Sequence, residues 1–367
     1  MGQQGFVAGE VFAGHRIERL LGSGGSGEVY LATDLGLGRR VALKVLTPTV
    51  SGDSDVRRRF EREAELLAQL EHPNIVTVYT RGTERGRLWL SMRYVHGVDL
   101  ATELHAGAMP TERAVRIITE AAAALDHAHH AGVLHRDVKP ANIMLTIPGD
   151  HARLVDFGIA KSIDDLTGPT HTGEVLASFH YVAPERFDPN AQVDRRADVY
   201  SLGCMLYQML TGTPPYSGQD VLQLMNGHLN ITIPQPSTTN PTLPAALDTI
   251  IAKALAKHPN DRYDTCTDLA TAAATALTHH DTTNTPPTDT PKTGSISDLV
   301  DGIFNCLFGV GCLVVFNWIY NRAGHHADIN SGIPLVVGFI SIFSGLYNIT
   351  VWIDKRQSSQ RRDDRPQ

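Results

Sequence analysis

The stretch HRDVKPAN, residues 135–142, places a carboxylate at Asp137, an ammonium two positions later at Lys139 and an amide five positions later at Asn142. Side chains of these three kinds in one loop suit a reaction that moves a proton and neutralises charge at one small centre. They suit a plain turn equally well, because Asp, Asn and Pro each favour turns for their own backbone reasons. Two further features bear on the choice. LGSGGSGEVYLA (21–32) holds Gly22, Gly24 and Gly27 in GxGxxG spacing, which phosphate-covering hairpins and dinucleotide turns share. A dinucleotide site needs a helix to begin at the glycines, whereas EVYLATD continues as a strand, so a β-hairpin lid over phosphates is favoured. Seventeen residues after Gly27, VALK sets Lys44 between apolar neighbours on a strand, where a lone lysine is ordinarily a solvated edge residue. Its candidate partner is Glu63, on the helix that follows.

The elements that must position these groups fall into two blocks. Residues 10–95 read as short β-branched runs between turn clusters, with one helix at about 54–71, where Phe60, Ala64, Leu67 and Leu70 recur at helical spacing. From about 98 to 278 the pattern turns helical: TERAVRIITEAAAALDHAHHAG, VYSLGCMLYQMLTG and ALDTIIAKALAK are amphipathic or buried segments between Pro- and Gly-marked loops. A strand-rich lobe followed by a helical lobe, class α+β, is the expectation. The 367 residues, 42% hydrophobic, leave room for two or three folded units. A formal net charge of -7 gives no general pull toward nucleic acid. Four scattered Cys make neither a disulfide framework nor a CxxC metal clip, so the bulk of the chain is expected in the cytosol. The N-terminus lacks the pattern of a secretion signal, and Phe6 stands where a myristoylation motif needs Ser or Thr. His127, His129 and His130, and the pairs His279–His280 and His325–His326, are read as unrelated to metal.

In order and at compatible spacing, GSGGSGEV (22–29), VALK (41–44), Glu63, HRDVKPAN, DFG (156–158), APE (183–185), Asp198 in DVYSLG and Arg262 in PNDRY resemble a known signature set. It is that of eukaryotic-type (Hanks-type) Ser/Thr protein kinases, and more particularly the membrane-anchored ones of bacteria. The resemblance covers about residues 10–278. It implies a bilobal kinase fold and a non-specific serine/threonine protein kinase that uses ATP with Mg²⁺, or alternatively Mn²⁺, on protein substrates. Asp137 would then accept or orient the substrate hydroxyl proton, and Lys139 would offset charge on the transferring phosphoryl. Asn142 and Asp156 would hold the metal, and Lys44, paired with Glu63, would grip the α- and β-phosphates. The hairpin residues Leu21, Gly22, Ser23, Gly24, Gly25, Ser26 and Gly27 would cover the nucleotide. Adenine would lie between Val29 and Ala42 above and Met144 below, against Met92 and the connector Arg93, Tyr94 and Val95, with Asp99 at the ribose. Lys139, two residues after the Asp, is the Ser/Thr form of the loop, and Ser178 stands where many relatives have Thr. Thr170 and Thr172, between DFG and APE, would be autophosphorylated, with Arg136 pairing to a phosphothreonine. A homodimer for trans-autophosphorylation is the implied assembly; nucleic acid is not an implied partner.

The remainder of the chain changes character. Residues 279–298 are dominated by Thr, Pro, Ser and Asp and read as a disordered linker. IFNCLFGVGCLVVFNWIY (303–320) and IPLVVGFISIFSGLYNITVWI (333–353) contain no Asp, Glu, Lys or Arg, and each matches the length that spans a ~30 Å hydrocarbon core. Arg322, His325, His326 and Asp328 between them favour two spanning helices, 299–320 and 333–353, around an external loop 321–332. The tail 354–367 carries Lys355, Arg356, Arg361, Arg362 and Arg365, which by the positive-inside bias returns it to the cytosol. The expected location is the cell membrane, with two spans and with the kinase and C-terminus on the cytoplasmic side.

Overall fold

Alternation along RRVALKVL forces a strand with two unlike faces, and the computed structural model bears this out. In β4 (Arg39–Leu46), Val41, Leu43 and Val45 are fully buried on one face, while Ala42 and Lys44 point to the other. The described residues are 5–25, 27–157 and 173–284. Ahead of β4 come β1 (Val11–Phe12), β2 (His15–Gly24) and β3 (Gly27–Asp34), and after it β5 (Val78–Glu84) and β6 (Arg87–Arg93). They form one antiparallel sheet in the order β1-β2-β3-β4-β6-β5, which places Lys44 on an interior strand between Val29 of β3 and Leu90 of β6. Lys44 is therefore no edge lysine. At the root of the β2–β3 hairpin Gly27 is required by contact: a Cβ there would lie 2.3 Å from Val45 O.

Two helices follow β4, a short α1 (Pro48–Gly52) and α2 (Ser54–Ala68). Asp53 caps α2 by accepting from the backbone N–H groups of Asp55 and Val56 at 2.7 and 3.1 Å. Val56, Phe60, Ala64 and Leu67 bury one stripe of α2, and Glu63 stands on the flank of that stripe. The sequence pattern anticipated α2 but not α1, whose PTVSG carries no helical repeat.

A small sheet of β7 (Gly97–Asp99), β8 (Ile143–Thr146) and β9 (Ala152–Leu154) lies at the start of the helical lobe. It is stitched to the first lobe by Val76 N–H to Leu154 O (3.0 Å) and Leu154 N–H to Asn74 O (2.7 Å). The helices are α3 (Leu100–Leu104), α4 (Thr111–His130), α5 (Gly173–Phe179), α6 (Arg196–Thr211), α7 (Val221–Asn230), α8 (Pro236–Thr239), α9 (Ala246–Ala254) and α10 (Cys266–Asn284). The helix α6 is buried on nearly every face and forms the centre of the lobe. There Gly203 permits close approach of α9, since a Cβ would meet Leu255 and Ala254 at 2.7 and 2.8 Å. Helix α10 continues through residues 279–284, so the segment expected as linker starts helical.

Met1–Asp281 form one compact unit, and the second unit, Thr282–Gln367, lies almost wholly outside the described residues. Thr170, Thr172, the two apolar segments and the basic tail all lie outside them. Among the described residues, no helix is long and apolar enough to cross a membrane.

Candidate active site

The loop 135–142 holds its shape through a buried carboxylate on the central helix. Asp198 of α6 accepts the backbone N–H of His135 at 2.9 Å, that of Arg136 at 3.0 Å, and Nε2–H of His129 at 2.8 Å. Burial opposes the Asp198 charge, but the bond from His129 and the surrounding donors hold its carboxyl below the usual range. His129 belongs to α4, and its Nδ1 lies 3.5 Å from Asp126 Oδ1, an ion-pair separation and not a well-formed hydrogen bond. Burial disfavours the imidazolium, yet the two carboxylates win and raise its pKa to about 9. Asp126 in turn accepts the N–H groups of Cys266 and Thr267 at 3.0 and 2.8 Å, capping α10. Asp126, His129 and Cys266 together could ligate a metal. The capping bonds and the imidazolium, however, already assign two of the three a structural task.

Within the loop, His135 is fully buried and its ring lies 4.5 Å from that of Phe157. Burial lowers its pKa and keeps it neutral. Its Nδ1 accepts Asp137 N–H at 3.3 Å, which leaves Nε2–H to donate to Val155 O, also at 3.3 Å. One imidazole thus ties Asp137 to the strand that leads into Asp156. Asn142 donates through Nδ2 to Asp137 O (2.7 Å) and Asp137 Oδ2 (2.8 Å), and its backbone carbonyl accepts Val155 N–H at 3.0 Å. Lys139 Nζ lies 3.2 Å from Asp137 Oδ2 and donates to Ser178 Oγ at 2.7 Å. The structure therefore gathers Asp137, Lys139, Asn142 and Ser178 at one point.

Facing this loop, Lys44 and Asp156 meet directly, with Nζ 2.6 Å from Oδ1. This corrects the expected pairing of Lys44 with Glu63: Glu63 Oε1 accepts instead from Arg136 Nη1 at 2.7 Å. The reason is positional, since Glu63 on α2 meets the guanidinium of the loop while Asp156, held at φ 59°, turns its carboxylate toward the strand lysine. Arg136, also at positive φ (60°), is fixed on both sides, by Asp198 at its N–H and by the Arg186 guanidinium at its carbonyl. Such backbone costs about 1–3 kcal/mol and persists only where surroundings impose it.

Around the cleft, Met92 is buried and pairs in register with Ala42, and Met144 pairs with Asp99. Leu21, Val29, Ala42 and Tyr94 are half-buried, and Val95 is buried. Gly22, Ser23, Gly24, Gly25 and Gly27 form the hairpin tip and root, and Ser26 lies outside the described residues. Asp99 caps α3 through Thr102 N–H at 2.8 Å, a task beside the ribose contact expected of it. Behind Met92 a cavity of ≈ 20 Å³ is lined by Leu67, Leu90, Val155, Asp156 and Phe157 among others. A groove of ≈ 760 Å³ between α9 and α10 shares none of these residues.

Sequence reasoning missed Asp126 and Arg186. Asp126 acts on residues 140 positions away, and nothing local marks it. Arg186 adjoins the APE motif but serves the loop only through the fold.

Residues 15–280 match the family model of the protein kinase domain. The chain is 49% identical over 275 residues to serine/threonine-protein kinase PknJ of Mycobacterium tuberculosis, covering 74% of this chain and 46% of that one. It is 46% identical over 270 residues to serine/threonine-protein kinase PknE of the same organism, with 73% and 47% covered. It thus spans less than half the length of these curated relatives. Among solved structures, the kinase domain of Mycobacterium tuberculosis PknI matches with a TM-score of 0.61 at 37% identity, over 74% of this chain and 100% of that one. A strand-rich lobe, a helical lobe, and a loop bolted to α6 through Asp198 agree with these likenesses: the chain belongs to the protein kinase family, among its Hanks-type serine/threonine kinases.

Proposed function

We propose that the chain transfers the γ-phosphoryl group of ATP to Ser and Thr hydroxyls of protein substrates. The observation that carries this reading is the convergence of Asp137, Lys139 and Asn142 within 3.2 Å contacts, opposite the Lys44–Asp156 pair. The bond between the γ-phosphorus and the bridging oxygen of ADP breaks, a bond to the substrate oxygen forms, and the hydroxyl proton passes to Asp137. Lys139, beside Asp137, offsets charge on the moving group, and Ser178 fixes the Lys139 ammonium. Lys44 binds the phosphates that remain on ADP.

The donor set fits a hard divalent cation: Asp156 supplies a carboxylate, and Asn142, whose Nδ2 is committed to Asp137, supplies an amide oxygen. A magnesium ion bound there neutralises phosphate charge. Autophosphorylation at Thr170 and Thr172, and residence at the membrane through 299–353, belong to the same proposal and are supported by sequence alone. A nucleotide-binding scaffold without catalysis would lack one of Lys44, Asp137, Asn142 or Asp156, and all four are present. The test is transfer from γ-labelled ATP to a protein substrate: Asp137→Asn should lower it by about 10²-fold or more while the protein stays folded. Near-parental transfer by a folded Asp137→Asn chain refutes the reading.

A further inference from the structure

The glycine hairpin between β2 and β3 has little of its own to hold it in place. Gly22, Gly24, Gly25 and Gly27 supply no side chains, and a Cβ at Gly22 or Gly25 would meet nothing within 4 Å among the described residues. Its pose over a nucleotide is therefore set at its root. There Glu28 is the first side chain after the glycines. Its register pairing with Val45 puts it on the face of the sheet opposite Val29 and Lys44, which pair with each other on the nucleotide side.

Two anchors hold Glu28 from that back face. Arg87 Nη2 lies 3.4 Å from Glu28 Oε2 while its Nε–H donates to Leu46 O at 2.8 Å, which ties the root to the end of β4. The Tyr30 hydroxyl donates to the same Glu28 oxygen at 2.9 Å and accepts Phe6 N–H at 3.0 Å. Phe6 belongs to a segment, residues 5–10, that precedes the first strand. Its ring packs on those of Phe12 and Tyr30, with centroids 4.6 and 5.5 Å away, and the Arg87 guanidinium covers it at 5.2 Å. Farther along, Gly9 N–H donates to Ile17 O of β2 at 2.8 Å. The approach is close: a Cβ on Gly5 would lie 2.7 Å from the Tyr30 hydroxyl oxygen and 2.9 Å from Glu28 Oε1.

We infer that residues 5–10 are a strap that sets the pose of the nucleotide-covering hairpin from behind, acting on Glu28 through the Tyr30 hydroxyl, so that Phe6, Tyr30 and Glu28 are positioning residues for nucleotide. The inference rests on the nucleotide-dependent reading of the site and deepens it. All three residues lie away from Val29 and Lys44, so their effect passes through the backbone of residues 27–29. A hairpin that takes the binding pose only part of the time weakens nucleotide binding by that fraction. Transfer from nucleotide already bound is left to Asp137 and its neighbours. The signature is a raised KM for ATP with kcat preserved.

The test is the affinity of the full chain for a fluorescent ATP analogue with Mg²⁺, measured alongside KM and kcat for ATP. Tyr30→Phe keeps the buried ring and deletes only the hydroxyl; it should weaken binding by about two- to tenfold, the scale of one hydrogen bond, with kcat within about twofold of the parent's. Phe6→Ala unfastens the strap and should weaken binding by a similar factor. The double variant should be no weaker than the worse single one, because both cut the same link. Val7→Ala, at a strap residue that is 67% exposed, should bind as the parent does. Parental affinity in both Tyr30→Phe and Phe6→Ala overturns the inference, as do effects that multiply in the double variant, an equal loss at Val7→Ala, or a loss that falls on kcat instead of KM. Should either variant fail to melt cooperatively, Gly5→Ala, which pushes on Tyr30 and Glu28 and leaves every bonded group present, takes its place with the same expected loss, and parental affinity there overturns the inference too. A parent chain that binds no nucleotide removes the kinase reading together with the strap's role, whereas a parent that binds nucleotide no better than its variants removes the strap's role alone.

Discussion

His129 should be a charged, stabilising imidazolium in the folded chain at neutral pH, and replacing it should remove one identifiable part of the pH dependence of stability. Its pKa is raised to about 9 from an ordinary 6.5. A raised value means the folded chain binds the proton more tightly, so the contribution is complete below about pH 6.5 and vanishes as pH rises through about 9. At pH 7.5 the difference is worth about 2 kcal/mol, and at pH 9.5 under about 0.3 kcal/mol. For a domain of this size that corresponds to a fall of roughly 4–8 °C in melting temperature. His129→Gln cannot carry the charge. It should melt lower at every pH, because Asp126 and Asp198 lose their shared cation at a cost on the order of 3 kcal/mol at neutral pH. The diagnostic quantity is the difference between parent and variant, which should shrink from pH 7.5 to 9.5. Lys257, whose pKa burial lowers to about 8, titrates in the same window but contributes equally to both proteins and cancels. Thermal melts of both proteins at four pH values suffice, with the ring titration followed by NMR. A parent-minus-variant difference that stays constant over pH 6.5–9.5 refutes the imidazolium.

Three further outcomes are expected. Arg262→Met removes a guanidinium that is fully buried against Glu185, at 2.7 Å for both of its bonds, and leaves that carboxylate unpaired; it should destabilise by about 3–5 kcal/mol in denaturant titrations, and a loss below 1 kcal/mol contradicts the account. Gly27→Ala forces a Cβ to within 2.3 Å of Val45 O, so the hairpin must shift; a loss of about 1–3 kcal/mol with several-fold weaker nucleotide binding is expected, and unaltered binding in calorimetry speaks against the hairpin's role. For the C-terminal segments, a Cys placed at Ser331 should react with a membrane-impermeant reagent in intact cells and one at Ser358 should not; protection of both sites speaks against two spans.

Much of this architecture was legible because it rests on local pattern. The alternation of Val41, Leu43 and Val45 against Lys44 dictated β4, and the Phe60–Ala64–Leu67 stripe dictated α2. The catalytic loop was legible through residue types at fixed spacing. The partner of Lys44 was not. Glu63 and Asp156 are both carboxylates, and the fold sets Glu63 against Arg136 and Asp156 against Lys44, a tertiary placement without a sequence signature. Asp126 was hidden for a related reason. The TCTD start of α10 announces a reciprocal cap, seen in the Thr265–Asp268 bonds, but no spacing rule links it to a residue on α4.

The tie between Asp126 and the first turn of α10 spans 140 residues of sequence. A ribosome making about 5–20 residues per second needs roughly 7–28 s to cover that distance. Until then His129 has one of its two carboxylates unanchored, and the helix that supports the catalytic loop lacks its final brace. The nascent chain therefore passes through a period in which every residue of the candidate site has been synthesised while the brace behind the 135–142 loop is incomplete. A polypeptide broken off before Cys266 would carry all these chemical groups and the Asp198 bonds to the loop, but not the cap that anchors Asp126 beside His129.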